Sequence, residues 1–167
     1  MLSESARMSS AAEARFRVQD PNSRQRVIKV VALDNASEPV VRRLSEDSWN
    51  RATFFRMAPA APDESPGASG AAMTDLSGKA TSIEAEVNAA DLVIMVAAPG
   101  GRARAASLIG RACSDRRVMT TTLIVGDGAA PNEDLSRTLA QVRPWSLMLV
   151  IAGGDDYIKD MMTALRA

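Results

Sequence analysis

At 167 residues the chain has the size of one domain, and its 46% hydrophobic content supplies a core and excludes general disorder. Twenty basic and twenty acidic residues cancel, so no net charge draws the chain to nucleic acid or to an anionic membrane, and neither is expected as a partner. The absence of histidine removes imidazole bases and ligands, and the single Cys113 leaves no internal disulfide or thiolate zinc site. A reducing, cytoplasmic location fits that cysteine usage. No apolar run approaches the ~20 residues that span a bilayer, and the basic N-terminus lacks the apolar stretch of a signal peptide.

Residues 1–26 are rich in Ser, Ala, Arg and Glu and are expected to form a flexible arm, with an interface helix around Ala11–Val18 as the alternative. The domain is expected over 27–167. Val27–Leu33 is a nearly continuous apolar run of strand length, the signature of a strand buried on both faces in a parallel sheet. Asp34-Asn35-Ala36-Ser37 then leads into a helix. Ser37 is its expected N-cap, Pro39 suits its first turn, and Val40, Val41 and Leu44 give its apolar face.

Arg51–Met57 reads as a strand nearer the sheet edge, because arginines flank Thr53, Phe54 and Phe55. Residues 58–78 are rich in Pro, Gly, Ala and Ser, and a long flexible loop is expected there. Ser82–Ala89 predicts a short helix and Leu92–Ala97 a buried strand. Ala105, Leu108, Ile109 and Ala112 recur at helical spacing, with Ala106 and Cys113 widening the stripe. Met119–Val125 is another strand. Pro131 opens a helix with Leu135, Leu139 and Val142 on one face, Trp145–Ile151 is a fifth strand, and Asp155 and Asp156 start a final helix.

Strand and helix alternate five times. The expected fold is α/β, a three-layer Rossmann-like domain with a mainly parallel five-stranded sheet and helices on both faces. With the first strand central, the ligand crevice lies between the loops after the first and third convincing parallel strands, Asp34–Ser37 and Ala98–Arg104. Gly100 and Gly101 would let backbone approach a phosphate or other anion at a helix N-terminus, and Arg102 and Arg104 would grip it. Asn35 and Ser37 complete this candidate ligand set. The competing reading makes the glycines a plain tight turn, the arginines a solvated face, and Asp34 or Ser37 a helix cap. Asp34, Asp127 and Asp155, at strand ends, are weak candidates for magnesium.

The run Ile28-Lys29-Val30-Val31 through Asn35, then Val40, Val41, Arg43 and Leu44, resembles the first strand, phosphate loop and first helix of the tubulin and FtsZ-type GTPases. Ala90-Asp91-Leu92-Val93-Ile94 through Gly100-Gly101 and Ala105-Ala106 resembles the strand leading into that family's glycine-rich signature loop, and Leu139–Ile151 is similar to the helix and strand that follow. The resemblance spans roughly residues 27–158. It implies a nucleotide-binding domain with GTP or a related nucleotide as ligand. Asp34-Asn35-Ala36-Ser37 replaces the family's first glycine cluster, and Gly100-Gly101-Arg102-Ala103-Arg104-Ala105 keeps two glycines of a longer GGGTGTG loop. The second domain that completes hydrolysis would also be absent.

The function expected on these grounds is a non-catalytic Rossmann-like module acting by protein association, as a homo-oligomer or with a protein partner. One rival is a binder of a nucleotide or other phosphorylated small molecule at Gly100 and Gly101. The other is a magnesium-dependent enzyme using the strand-end aspartates.

Overall fold

The β-branched runs of the sequence become the middle of a sheet. In the computed structural model, which describes residues 25–58, 72–126, 129–165 and 167, β1 (Ile28–Ala32) is buried at every position. β5 (Leu92–Ala97) is buried throughout as well. Strands without a solvated face can only be central ones, and β1 and β5 pair in parallel, Val30 against Ile94. β2 (Ala52–Met57) flanks β1, while β6 (Met119–Val125) and β7 (Met148–Ala152) extend the sheet beyond β5, all in parallel.

Among the described residues the sheet has seven strands, not five, in the order β4 (Ala80–Thr81), β3 (Met73–Asp75), β2, β1, β5, β6, β7. The additional pair is an antiparallel hairpin, β3 (Met73–Asp75) and β4 (Ala80–Thr81), which lies across the end of the expected 58–78 loop. Its turn is built locally. Asp75 Oδ1 accepts from Ser77 N at 2.9 Å, from Ser77 Oγ at 2.6 Å and from Lys79 N at 2.9 Å. Gly78, at φ +94°, takes the left-handed step that a side chain would strain. The hairpin forms the sheet edge, so β2 is an inner strand rather than an edge one, and Phe55 and Met57 are buried in it.

Among the described residues five α-helices cover the two faces. α1 (Glu38–Ser45) and α5 (Asp155–Ala164) bury Val41, Leu44, Ile158 and Met162 against Ile28, Val30, Ile94 and Leu123. On the other face, α2 (Ile83–Asn88), α3 (Ala106–Arg116) and α4 (Asn132–Val142) bury Val87, Ile109, Cys113 and Val142 against Val31, Met95 and Ile124. This is the three-layer Rossmann-like architecture, and each fully buried Ile or Leu contributes about 1.5–3 kcal/mol of transfer free energy.

Several local expectations change. Leu108 is exposed, and α3 buries Gly110 instead, because Trp145 packs there. A Cβ on Gly110 would come within 2.6 Å of Trp145 Cβ. Trp145 therefore belongs to a short 3-10 turn, Arg143–Trp145, and not to the fifth parallel strand, which starts at Met148. Ser37 precedes α1 but makes no side-chain cap bond, since its hydroxyl is used elsewhere. Trp49 and Phe54 are both half-buried, and Trp49 Nε1 donates to the Leu44 carbonyl at 2.6 Å. The expected arm, residues 1–24 of it, and 59–71 of the expected loop lie outside the described residues.

Candidate functional site

The connection from β1 runs to one side of the sheet and that from β5 to the other, so the topological switch point lies between their carboxyl ends. Leu33 N donates to the Val96 carbonyl at 2.8 Å and extends the β1–β5 pairing to the mouth of this crevice. Asp34 follows immediately. Its Oδ1 accepts from Ser37 N at 2.8 Å and its Oδ2 from Ala98 N at 3.0 Å. The buried Ser37 hydroxyl lies 2.9 Å from the Val96 carbonyl and 3.0 Å from the Asp34 carbonyl. Asp34 and Ser37 thus tie the loop after β1 to the end of β5.

The glycine loop closes on the same carboxylate. A Cβ on Gly101 would fall 2.6 Å from Asp34 Cγ and 2.9 Å from the Ala98 carbonyl, so the close approach requires glycine. Gly100, at φ +77°, donates its N–H to Thr138 Oγ1 at 2.9 Å and to the Asp134 carbonyl at 3.2 Å. Gly101 N donates to the Ala98 carbonyl at 3.0 Å. Backbone donors that could cradle a phosphate in such a loop are here spent on Asp34, on α4 and on the loop itself. The Asp34 carboxylate lies between the two loops and accepts a backbone N–H from each.

Arg102 and Arg104 are exposed, with the buried Ala103 between them anchoring the turn into α3. The first N–H groups of α3 bond to its own turn, Ala106 N to the Ala103 carbonyl at 3.0 Å and Ser107 N to the Arg104 carbonyl at 3.3 Å. Asn35 is exposed beside Asp34. Of the weak metal candidates, Asp127 and the side chain of Asp155 lie outside the described residues, and both oxygens of Asp34 accept backbone N–H groups. Among the described residues no group of three or more acidic or cysteine side chains is placed to hold a metal ion. Burial pushes the Cys113 thiol up to about 11, so it stays protonated at neutral pH.

The open space lies elsewhere at the carboxyl end of the sheet. A crevice of about 530 Å³ runs between α1 and α5, over the ends of β5, β6 and β7. Val40, Arg43, Pro99, Val125, Gly154 and Ile158 are among its lining residues. A smaller hollow of about 170 Å³ sits on the α4 side, where Leu135 and Ile151 face it. Neither is lined by Gly100, Gly101, Arg102, Arg104, Asn35 or Ser37. Sequence reasoning expected a crevice between the loops after β1 and β5, and missed Val40, Arg43 and Ile158 as walls of the observed one, because helix residues there read as core or surface. Gly153-Gly154 was the available signal.

A second feature is at the far side of the sheet. β7 is an edge strand, and Leu147 is 77% exposed at its entrance, with Ile151 at 58% and Met148 at 39%. Tyr157 of α5 is exposed as well. Met148–Ala152 contains no charge, proline or glycine that would block another strand. No protein-family model matches the chain, and no curated protein matches it.

Proposed function

We propose that the chain is a non-catalytic Rossmann-like module that acts by protein association, of the kind a tubulin or FtsZ-type nucleotide-binding domain becomes once its phosphate loops are spent. The observation that carries this reading is the bare apolar edge at β7. Large side chains left in water along an unpaired strand cost solvation free energy, and a partner that covers them recovers it. The Asp34 carboxylate supports the non-catalytic part, since it would repel a phosphate brought to the glycine loop. Size-exclusion chromatography with light scattering tests the reading. Assembly that grows with concentration and is lost in Ile151→Lys is expected. A wild-type monomer at high concentration would overturn it.

The crevice between α1 and α5 favours a second reading, a small ligand seated there, with nucleotides and other phosphorylated molecules as the class to try. Its volume falls within the range of small-molecule sites, about 300–1,000 Å³. A thermal-shift screen of GTP, GDP, ATP, NAD, NADP and flavins, with and without magnesium, tests it. A concentration-dependent rise in Tm that survives Arg102→Ala with Arg104→Ala but is lost in Val40→Trp would place the ligand in the crevice. No rise with any of them removes this reading.

A further inference from the structure

We infer that the crevice between α1 and α5 and the hollow beside α4 are two halves of one site, which takes a small organic anion with two ring groups on a short flexible joint. This rests on the crevice reading above and adds the shape and charge of the ligand.

The continuity follows from the lining. The two spaces share Pro99, Gly126, Ala130, Ala152 and Gly153 as walls. Ile124 and Val125 are consecutive in β6, so their side chains point to opposite faces of the sheet. Ile124 lines the smaller space and Val125 the larger. The two spaces therefore lie on opposite faces and meet over the carboxyl ends of β6 and β7. Small residues keep that crossing low. A Cβ on Gly126 would come within 3.3 Å of Pro99 Cδ, which marks its narrow part, and a Cβ on Gly153 would meet nothing within 4 Å, which marks its open part.

The ligand class follows from size and charge. About 170 Å³ on the α4 side is room for a single ring, since an apolar cavity of about 150 Å³ holds benzene. About 530 Å³ on the other side takes a larger group. Leu135 and Ile151 wall the first space and Val40 and Ile158 the second, so both groups are apolar. The link between them bends around the strand ends, which calls for a flexible joint. Among the described lining residues Arg43 alone carries a charge, and a guanidinium presents its donors in a fork that matches one carboxylate. A nucleoside triphosphate would bring several charges to that single arginine.

Dansyl-phenylalanine joins a naphthalene and a phenyl ring through a short linker that bears one carboxylate. Dansyl-glycine lacks its second ring, and dansyl-phenylalaninamide lacks its charge. Fluorescence titration should give one site per chain, with dansyl-phenylalanine bound at least about tenfold more tightly than either analogue, as burial of one ring or pairing of one carboxylate provides. Asn132 is exposed at the smaller space and Gly153 has open space above it, so Asn132→Trp and Gly153→Leu should keep the wild-type melt. Both should bring dansyl-phenylalanine down to the affinity of dansyl-glycine, and Asn132→Trp should leave dansyl-glycine unchanged. Arg43→Gln should remove the preference over the amide. Equal binding of dansyl-phenylalanine and dansyl-glycine, lost together in Val40→Trp, overturns the joined site and leaves the crevice reading standing. Binding that survives Val40→Trp, or that is lost in Leu147→Lys at the bare β7 edge, puts the dye elsewhere and overturns the inference. No binding of any of the three overturns it as well, and the absence of a Tm rise with every nucleotide then removes the crevice reading too.

Discussion

The two edges of the sheet are built on opposite plans. At one, the hairpin ends in the two residues of β4, with the exposed Lys79 just before it and Gly78 turning the chain. Thr81 Oγ1 donates to Glu86 Oε1 at 2.8 Å, and Lys29 Nζ donates to Glu86 Oε2 at 2.8 Å, so a polar cluster ties this edge to the central strand. The Lys29 ammonium also lies 5.6 Å from the centre of the Phe55 ring. At the other edge, β7 shows water its methionine, isoleucine and leucine side chains without guard. A short charged edge resists a new strand, and a longer apolar one accepts it. One sheet thus has one end that is guarded by charge and one that is apolar and exposed.

The largest expected effect tests the guarded end. Glu86→Ala leaves the buried Lys29 without the half-buried carboxylate it donates to, and should cost about 2 kcal/mol by chemical denaturation, as an ammonium left unsatisfied does. Retention of wild-type stability would show that the polar cluster does not hold that edge. Gly110→Ala tests what holds the other. Its Cβ meets Trp145, which sets the turn into β7, and a net loss of about 1–2 kcal/mol is expected after the gain in helix propensity. Faster amide exchange in β7 but not in β3 would localise the damage.

Acid should act more on the polar end. Burial pushes the Glu86 carboxyl up, but Lys29 and Thr81 more than offset this and hold it below its ordinary value of 4.5. Arg42 and Arg56 hold Glu38 below 4.5 as well. A carboxyl depressed by folding contributes stability that is present above its unfolded value and lost as the pH falls through the folded one. Denaturation midpoints should therefore drop below pH 4.5, and Glu86→Gln should flatten that drop. The smallest effect on stability is expected at the bare edge. Ile151→Lys should change the unfolding free energy of the monomer by less than about 0.5 kcal/mol, as exposed positions do, while it removes assembly.

Long apolar runs made the parallel core legible. Val27–Leu33, Leu92–Ala97 and Met119–Val125 can be strands only in the middle of a covered sheet, and the switch point between the first two follows from their order. The hairpin was not legible in the same way. Met73–Asp75 and Ala80–Thr81 are too short to show a period, and pairing with β2 defines them from a distance. Trp145 looked like strand because it begins an apolar run, yet Gly110, a helix-weakening residue inside an apolar stripe, marked a close approach of some other element. At the candidate site, the sequence offers Gly100, Gly101, Arg102, Arg104, Asn35 and Ser37 to an external anion, and Asp34 to magnesium or a helix cap. No local pattern revealed that Asp34 would be the anion, because Asp34 and Ala98 are 64 residues apart in the chain.

That carboxylate has a consequence for how the domain responds to its surroundings. An anion delivered by the chain itself has an effective concentration set by the fold and not by the metabolite pool. The contact between the loops after β1 and β5 is then made without a phosphate from outside. The loop after β1 is thus joined to the end of β5 by a side chain that travels with it, and mutation of Asp34 separates the two without touching either strand.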